Sequence, residues 1–213
     1  MMMNDPTDGV VTKVSEWMIN MALLNLFWLL LTLLGGIVFG WAPATVAIMT
    51  VWRQQARNTE KIITFKGVWQ AYRENFLQAN AIGWLIKLSG IALVFYSFTL
   101  VQWSGLLMIV FATIFLIIAF TFTMVTVFIF PVYIHYQLNF LDYFRYALII
   151  GWTQLHFTAI ILVSIGVIFW GYTIFPGLLL AFAASLPLGC LTHLSLNVFE
   201  KIEDKHLHYS NQR

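Results

Sequence analysis

Charge is scarce in this sequence: Asp, Glu, Lys and Arg make up 9% of 213 residues, and eleven basic against nine acidic side chains leave a net charge of +2. With 61% hydrophobic residues beside it, that is not the composition of an ordinary soluble domain. So small a basic excess also argues against a nucleic-acid partner. Cysteine is nearly absent. Cys190 can form no internal disulfide, and its place in an apolar run assigns it to a small buried side chain. Catalytic signatures are missing too: there is no G-x-S-x-G, P-loop, H-E-x-x-H or dinucleotide fingerprint, which counts against an ATPase or ordinary hydrolase. His156 and His193 have no Asp or Glu at ligand spacing, so neither a metal nor another cofactor is expected. The N-terminus lacks the basic start, short apolar core and small-residue cleavage site of a secretory signal, so the first apolar run reads as a retained span.

Long apolar runs are what the chain does have. The composition predicts one all-α domain over residues 1–213, a polytopic integral membrane bundle in the lipid bilayer with about five to six membrane helices. A helix starting near Thr12 leads into a span over 18–39. Its core, Met18 to Leu34, is interrupted only by Asn20, Asn25 and Thr32. Gly35, Gly36, Gly40 and Pro43 then break the run, and Pro43 suits the first turn of a new helix reaching Arg57. Residues 37–52 read either as a short second span or as an interfacial helix. The small residues of the Gly40, Pro43, Ala44, Thr45 turn motif permit close packing on the first helix, which favours the hairpin.

Further spans are expected over 80–101, 106–130, 155–175 and 177–199, with amphipathic cytoplasmic segments over about 53–79 and 136–151. Phe65, Val68, Trp69, Tyr72 and Phe76 recur at helical spacing on one face, which predicts a helix lying on the membrane surface. Its basic residues Arg53, Arg57, Lys61, Lys66 and Arg73 should attract anionic lipid in a salt-dependent way. The short connections Gln102 to Gly105 and Gly171 to Pro176 carry no Lys or Arg, which by the positive-inside rule puts them outside and the C-terminus in the cytoplasm. Six spans would put the N-terminus inside, and five would put it outside. The segments Phe65–Phe76 and Phe140–Gly151 each precede two spans, an echo that chance explains as well as duplication does.

Polar residues within spans are the candidates for chemistry, because burying them in a bilayer is costly. These are Lys87, His193, Asn25 and His156. For Lys87, snorkelling or structural pairing competes with a ligand role. Pro187 should free the carbonyl of Ala183 and kink the last span, so His193, with Thr192, Ser195 and Asn197, is a candidate cavity residue, against interhelical hydrogen bonding as the simpler role. Asn25 and the series Thr113, Thr121, Thr123 and Thr126 fit helix association. Asp142 and Arg145 read as a solvated pair.

The stretches NLFWLLLTLLGGIVFGWAPATVAIMTVWRQ, FKGVWQAYRENFLQAN and FPVYIHYQLNFLDYFRYALIIG resemble the YesL family of bacterial membrane proteins, also called domain of unknown function 624. The resemblance covers nearly the whole chain. It departs at Gly40-Trp41-Ala42-Pro43, where such proteins more often read Gly-Pro directly. It implies a multi-pass protein of the bacterial plasma membrane, encoded near carbohydrate transporters and sensor systems, and it supplies no catalytic residues. The expectation is a non-enzymatic accessory of carbohydrate transport or sensing, with an ABC transporter permease, a sensor kinase or a second copy of the chain as partner. The rivals are a small solute transporter using Lys87 and His193 and, further off, a membrane-embedded enzyme.

Overall fold

A computed structural model describes residues 6–57, 63–102 and 104–210, apart from the side chains of residues 6–11, 13 and 204–210. Eight helices follow in order among the described residues: α1 (Pro6–Leu34), α2 (Trp41–Arg57), α3 (Phe65–Leu100), α4 (Leu106–His135), α5 (Phe140–Thr153), α6 (Leu155–Ile174), α7 (Pro176–Phe182) and α8 (Ser185–Ser210). The fold is an all-α polytopic bundle. α1 starts at Pro6, ahead of the expected Thr12, and a proline is well suited to that first position.

α2 folds back against α1 in a helical hairpin, but it is not one of the helices long and apolar enough to cross a membrane, so the second span favoured for residues 37–52 is not found. The turn runs through Gly36 at φ 65° and Ile37 at φ 63°, and the Ile37 amide closes it on the Thr32 carbonyl at 2.8 Å. A left-handed conformation is ordinary for glycine and strained for a β-branched residue. A Cβ on Gly40 would fall onto the Thr32 backbone, so only glycine lets the two chains come this close. Pro43 lies in the first turn of α2, where its missing N–H has no intrahelical acceptor to lose. The Trp28 indole donates to Thr45 Oγ1 at 3.1 Å, and Thr45 in turn donates to the Trp41 carbonyl at 2.7 Å.

Among the described residues, four helices are long and apolar enough to cross a membrane: α1 from Val14, α3, α4 and α6. The pair α7 and α8, bent by 66°, makes five if taken as one broken span. With that pair counted as one span, the total is the lower of the two expected. α2 is not among them. It is enclosed by protein from Ala42 to Met49 and again at Val51 and Trp52, and emerges at its C-terminal end, where Gln54, Ala56 and Arg57 are exposed.

α3 corrects the sequence reading. The expected surface segment and the following span are one uninterrupted helix of 36 residues, which at ~1.5 Å per residue is roughly 54 Å long against a hydrocarbon core of ~30 Å. Its amphipathic face does not lie on lipid. Val68 and Tyr72 are buried with Leu24, Ile48 and Trp52 of α1 and α2, and Phe27 of α1 meets Phe65 edge to face at 5.4 Å. α5 likewise packs against protein, burying Tyr143, Ala147 and Ile150. A Cβ on Gly151 would come within 2.8 Å of Met124 on α4.

A second cluster joins α2, α3, α4, α5, α6 and α8 through Val46, Ile82, Phe128, Ala147, Ile161 and Phe199. α2 contributes to both clusters and is the axis of the bundle. Beyond it, α3 and α4 continue as a two-helix arm, with Gly90 close to Phe122 and Tyr96 beside Phe115 at 5.8 Å. On this arm Ile91, Phe95, Phe98, Ile109 and Leu116 are all exposed. An apolar groove of about 690 Å³ runs between the two helices, with Ser89, Ala92, Tyr96, Phe115 and Phe122 on its walls.

Candidate functional site

The polar residues expected inside the membrane do not converge on one site. Lys87 donates from Nζ to the Val38 carbonyl at 3.1 Å and lies 4.5 Å from the Trp41 ring and 5.4 Å from that of Trp84. It thus caps the α1–α2 turn by a hydrogen bond and two cation–π contacts. His193 is exposed on α8, its ring 6.2 Å from that of Trp52. Trp41 and Trp52 stand eleven positions apart on α2, roughly 16 Å along a helix, so Lys87 and His193 sit at its opposite ends. His156 is exposed at the start of α6 against Phe157.

Asn25 has the most definite role. It is 2% exposed. Its Nδ2 donates to the Leu180 carbonyl at 2.9 Å, and its Oδ1 accepts from the Ala184 amide at 3.0 Å. Both partners flank the break between α7 and α8. From the other side, the Tyr172 hydroxyl of α6 donates to the Phe182 carbonyl at 2.7 Å. Backbone freed by a helix break at membrane depth needs such partners. The bend therefore falls at residues 183–184, before Pro187, which occupies the first turn of α8 where a proline is tolerated. The threonines of α4 differ from expectation too. Thr113, Thr123 and Thr126 donate to carbonyls one turn back in their own helix and do not tie helices together.

Of the predicted basic surface, Arg57, Lys66 and Arg73 are exposed, and Lys66 and Arg73 flank a shallow groove with Trp69. Lys61 lies outside the described residues. An exposed Arg145 meets a half-buried Asp142 at 3.5 Å.

Arg53 departs from this pattern. It turns inward and donates from its guanidinium to the Ile134 carbonyl at the end of α4, while its Nε is buried without a partner. Burial, then repulsion from Arg57, lowers its pKa, against an opposing pull from Glu203. Around it, a pocket of about 330 Å³ is lined by Thr50, Gln78, Tyr133, His135, Tyr136 and Tyr143, among others. The Tyr133 hydroxyl donates to Asn75 Oδ1 at 2.8 Å. The Tyr143 hydroxyl accepts from the Leu138 amide at 3.2 Å. The His135 side chain is 3% exposed, with Nε2 3.0 Å from Glu203 on α8 and Nδ1 buried without a partner. Only Arg53 of this group was a candidate from sequence. Thr50 shares α2 with it, and the others come from α3, α4, α5, α8 and the α4–α5 connection, which no spacing rule links.

Among the described residues, no group of His, Cys, Asp and Glu is arranged to hold a metal ion. No solved structure matches the chain. A family model described as "Protein of unknown function, DUF624" matches residues 21–97, which takes in the second half of α1, all of α2 and most of α3. Three similar proteins come from Bacillus subtilis (strain 168). "Uncharacterized protein YesV" is 30% identical over 196 residues, covering 90% of this chain and 92% of that protein. "Uncharacterized protein YteU" is 28% identical over 202 residues, 95% of this chain and 90% of that one. "Uncharacterized protein YesL" is 25% identical over 190 residues, 89% of each. Similarity that spans nearly all of each chain, with the family model falling on the central hairpin, means that this chain belongs to the DUF624 family, alongside YesV, YteU and YesL.

Proposed function

We propose that the protein is a non-enzymatic accessory of a bacterial plasma-membrane assembly, seated beside a transporter permease or sensor subunit through its α3–α4 arm. The observation that carries this reading is the division of labour among its residues. Lys87 and Asn25 are engaged in holding backbone, while the arm presents apolar side chains outward and an apolar groove between its helices. Ser89 and Ala92 on the groove wall are small enough to admit a partner's membrane helix at close range. The carbohydrate direction of this reading comes from the family resemblance alone. The basic end of the bundle, with Arg57, Lys66 and Arg73, faces the cytoplasm in this proposal.

The test is in-cell crosslinking followed by gentle detergent extraction and identification of what co-purifies. Recovery of permease or sensor subunits above a control membrane protein of equal abundance is expected. Lys87→Met separates this reading from a transporter. It should cost stability about 1 kcal/mol through the freed Val38 carbonyl and leave both partner recovery and solute flux in vesicles unchanged. Flux that a well-inserted Lys87→Met protein abolishes would shift the conclusion to transport.

A further inference from the structure

We propose that the pocket around Arg53 binds a phosphate-bearing ligand, with the Arg53 guanidinium as its counter-ion and the Tyr143 hydroxyl as a second donor. Arg53 is the only Lys or Arg lining the pocket, and among the described residues it makes no salt bridge. A guanidinium carries five donors in a planar fork suited to phosphate. Here one is used on the Ile134 carbonyl, and Nε is withdrawn from water with nothing to receive it. A desolvated cation in that state is costly, and a bound anion offsets the cost. Glu203, the nearest acid to enter the balance, is engaged with His135 at 3.0 Å and does not line the pocket.

The other groups refine the ligand. Tyr143 uses its oxygen to accept from the Leu138 amide, which leaves its proton to donate. Its donor comes from α5 and that of Arg53 from α2, so two helices each bring one donor to the pocket. His135 Nε2, facing the Glu203 carboxylate, is assigned the ring proton by that pairing, so the buried Nδ1 is an acceptor. The volume of about 330 Å³ is at the small end for ligand pockets and fits a phosphate carried on a few carbons. A soluble phosphomonoester and the glycerophosphate head of a lipid share this chemistry. The inference does not depend on the accessory reading, because the pocket and the arm are lined by different residues.

The experiment uses the full chain in phosphatidylcholine nanodiscs, with sn-glycerol 3-phosphate as the soluble probe and phosphatidylglycerol as the lipid probe. If the source is soluble, sn-glycerol 3-phosphate raises the unfolding midpoint saturably, and Arg53→Gln needs at least about tenfold more of it. If the source is lipid, phosphatidylglycerol stays with the native protein through delipidation, seen by native mass spectrometry, and is lost from Arg53→Gln. Arg53→Lys keeps the charge and the stem but loses the fork, so it should fold with a native midpoint and show a weakened response even where Arg53→Gln does not fold. Equal responses from the native protein and Arg53→Lys, or no response to either probe, would overturn the proposal.

Discussion

α2 contains two arginines, two glutamines and two threonines, and ten of its 17 residues are buried. α4 from Leu106 to Thr123 has only threonine among its polar residues and buries none of its side chains. In water the assignment would be reversed. In a bilayer the surroundings are as apolar as leucine, so apolar composition alone does not draw helices together. What places α2 inside is small size and local hydrogen bonding: Ala42, Ala44 and Ala47 are fully buried, and Ala42 is so close to Gly83 that a Cβ there would stand 2.7 Å away. Strong hydropathy marks lipid contact in this molecule, and small residues mark the interior.

The sharpest way to break that contrast is at the turn that brings α2 against α1. Gly40→Val should cost about 3 kcal/mol or more, because its Cβ meets backbone that cannot move aside. Unfolding of the purified protein in a detergent titration reads this directly, and a native-like midpoint would mean that the hairpin is not held by close approach. Asn25→Leu comes next. It keeps the side chain's bulk but strands the Leu180 carbonyl and the Ala184 amide, for a loss of about 1–3 kcal/mol. Hydrogen exchange at Ala184 should speed up by a matching factor, and unchanged protection there would show that the break is held by other groups. The smallest effect belongs to the arm: Leu116→Ser, on a side chain 66% exposed, should shift stability by less than about 0.5 kcal/mol. A loss above about 1 kcal/mol would mean that the arm is packed on a second copy of the chain.

Helix type, the break after α1 and the start of α4 were legible in the sequence because each rests on a long apolar run or on glycine and proline. The end of α4 was not, since the helix runs on through Pro131 to His135, past the end expected at 130. Nor was the fusion of the surface segment into α3. Polar residues such as Arg73, Glu74 and Asn80 suggest a change of element, yet none of them breaks a helix, and Asn80 simply donates to the Phe76 carbonyl one turn back. Pro187 pointed to the right neighbourhood for the last bend. Its position was decided by Asn25, 155 residues away from Leu180, a distance across which periodicity says nothing. The Arg53 pocket was hidden for the same reason, since His135 and Glu203 are 68 residues apart and neither has meaning until α4 and α8 are packed.

The clamp on the α7–α8 break also sets an order of events during synthesis. The carbonyl that Asn25 needs is made 155 residues later, which at ~5–20 residues per second is a delay of roughly 8–30 s. Throughout that interval α1 is in the bilayer with an amide side chain that has no native partner. Its insertion can therefore be early, but its docking must be late. A ribosome stalled before Leu180 should hold an α1 still free to tilt, rotate or be captured by a neighbouring helix, and completion of the last helix is what locks the first one in place.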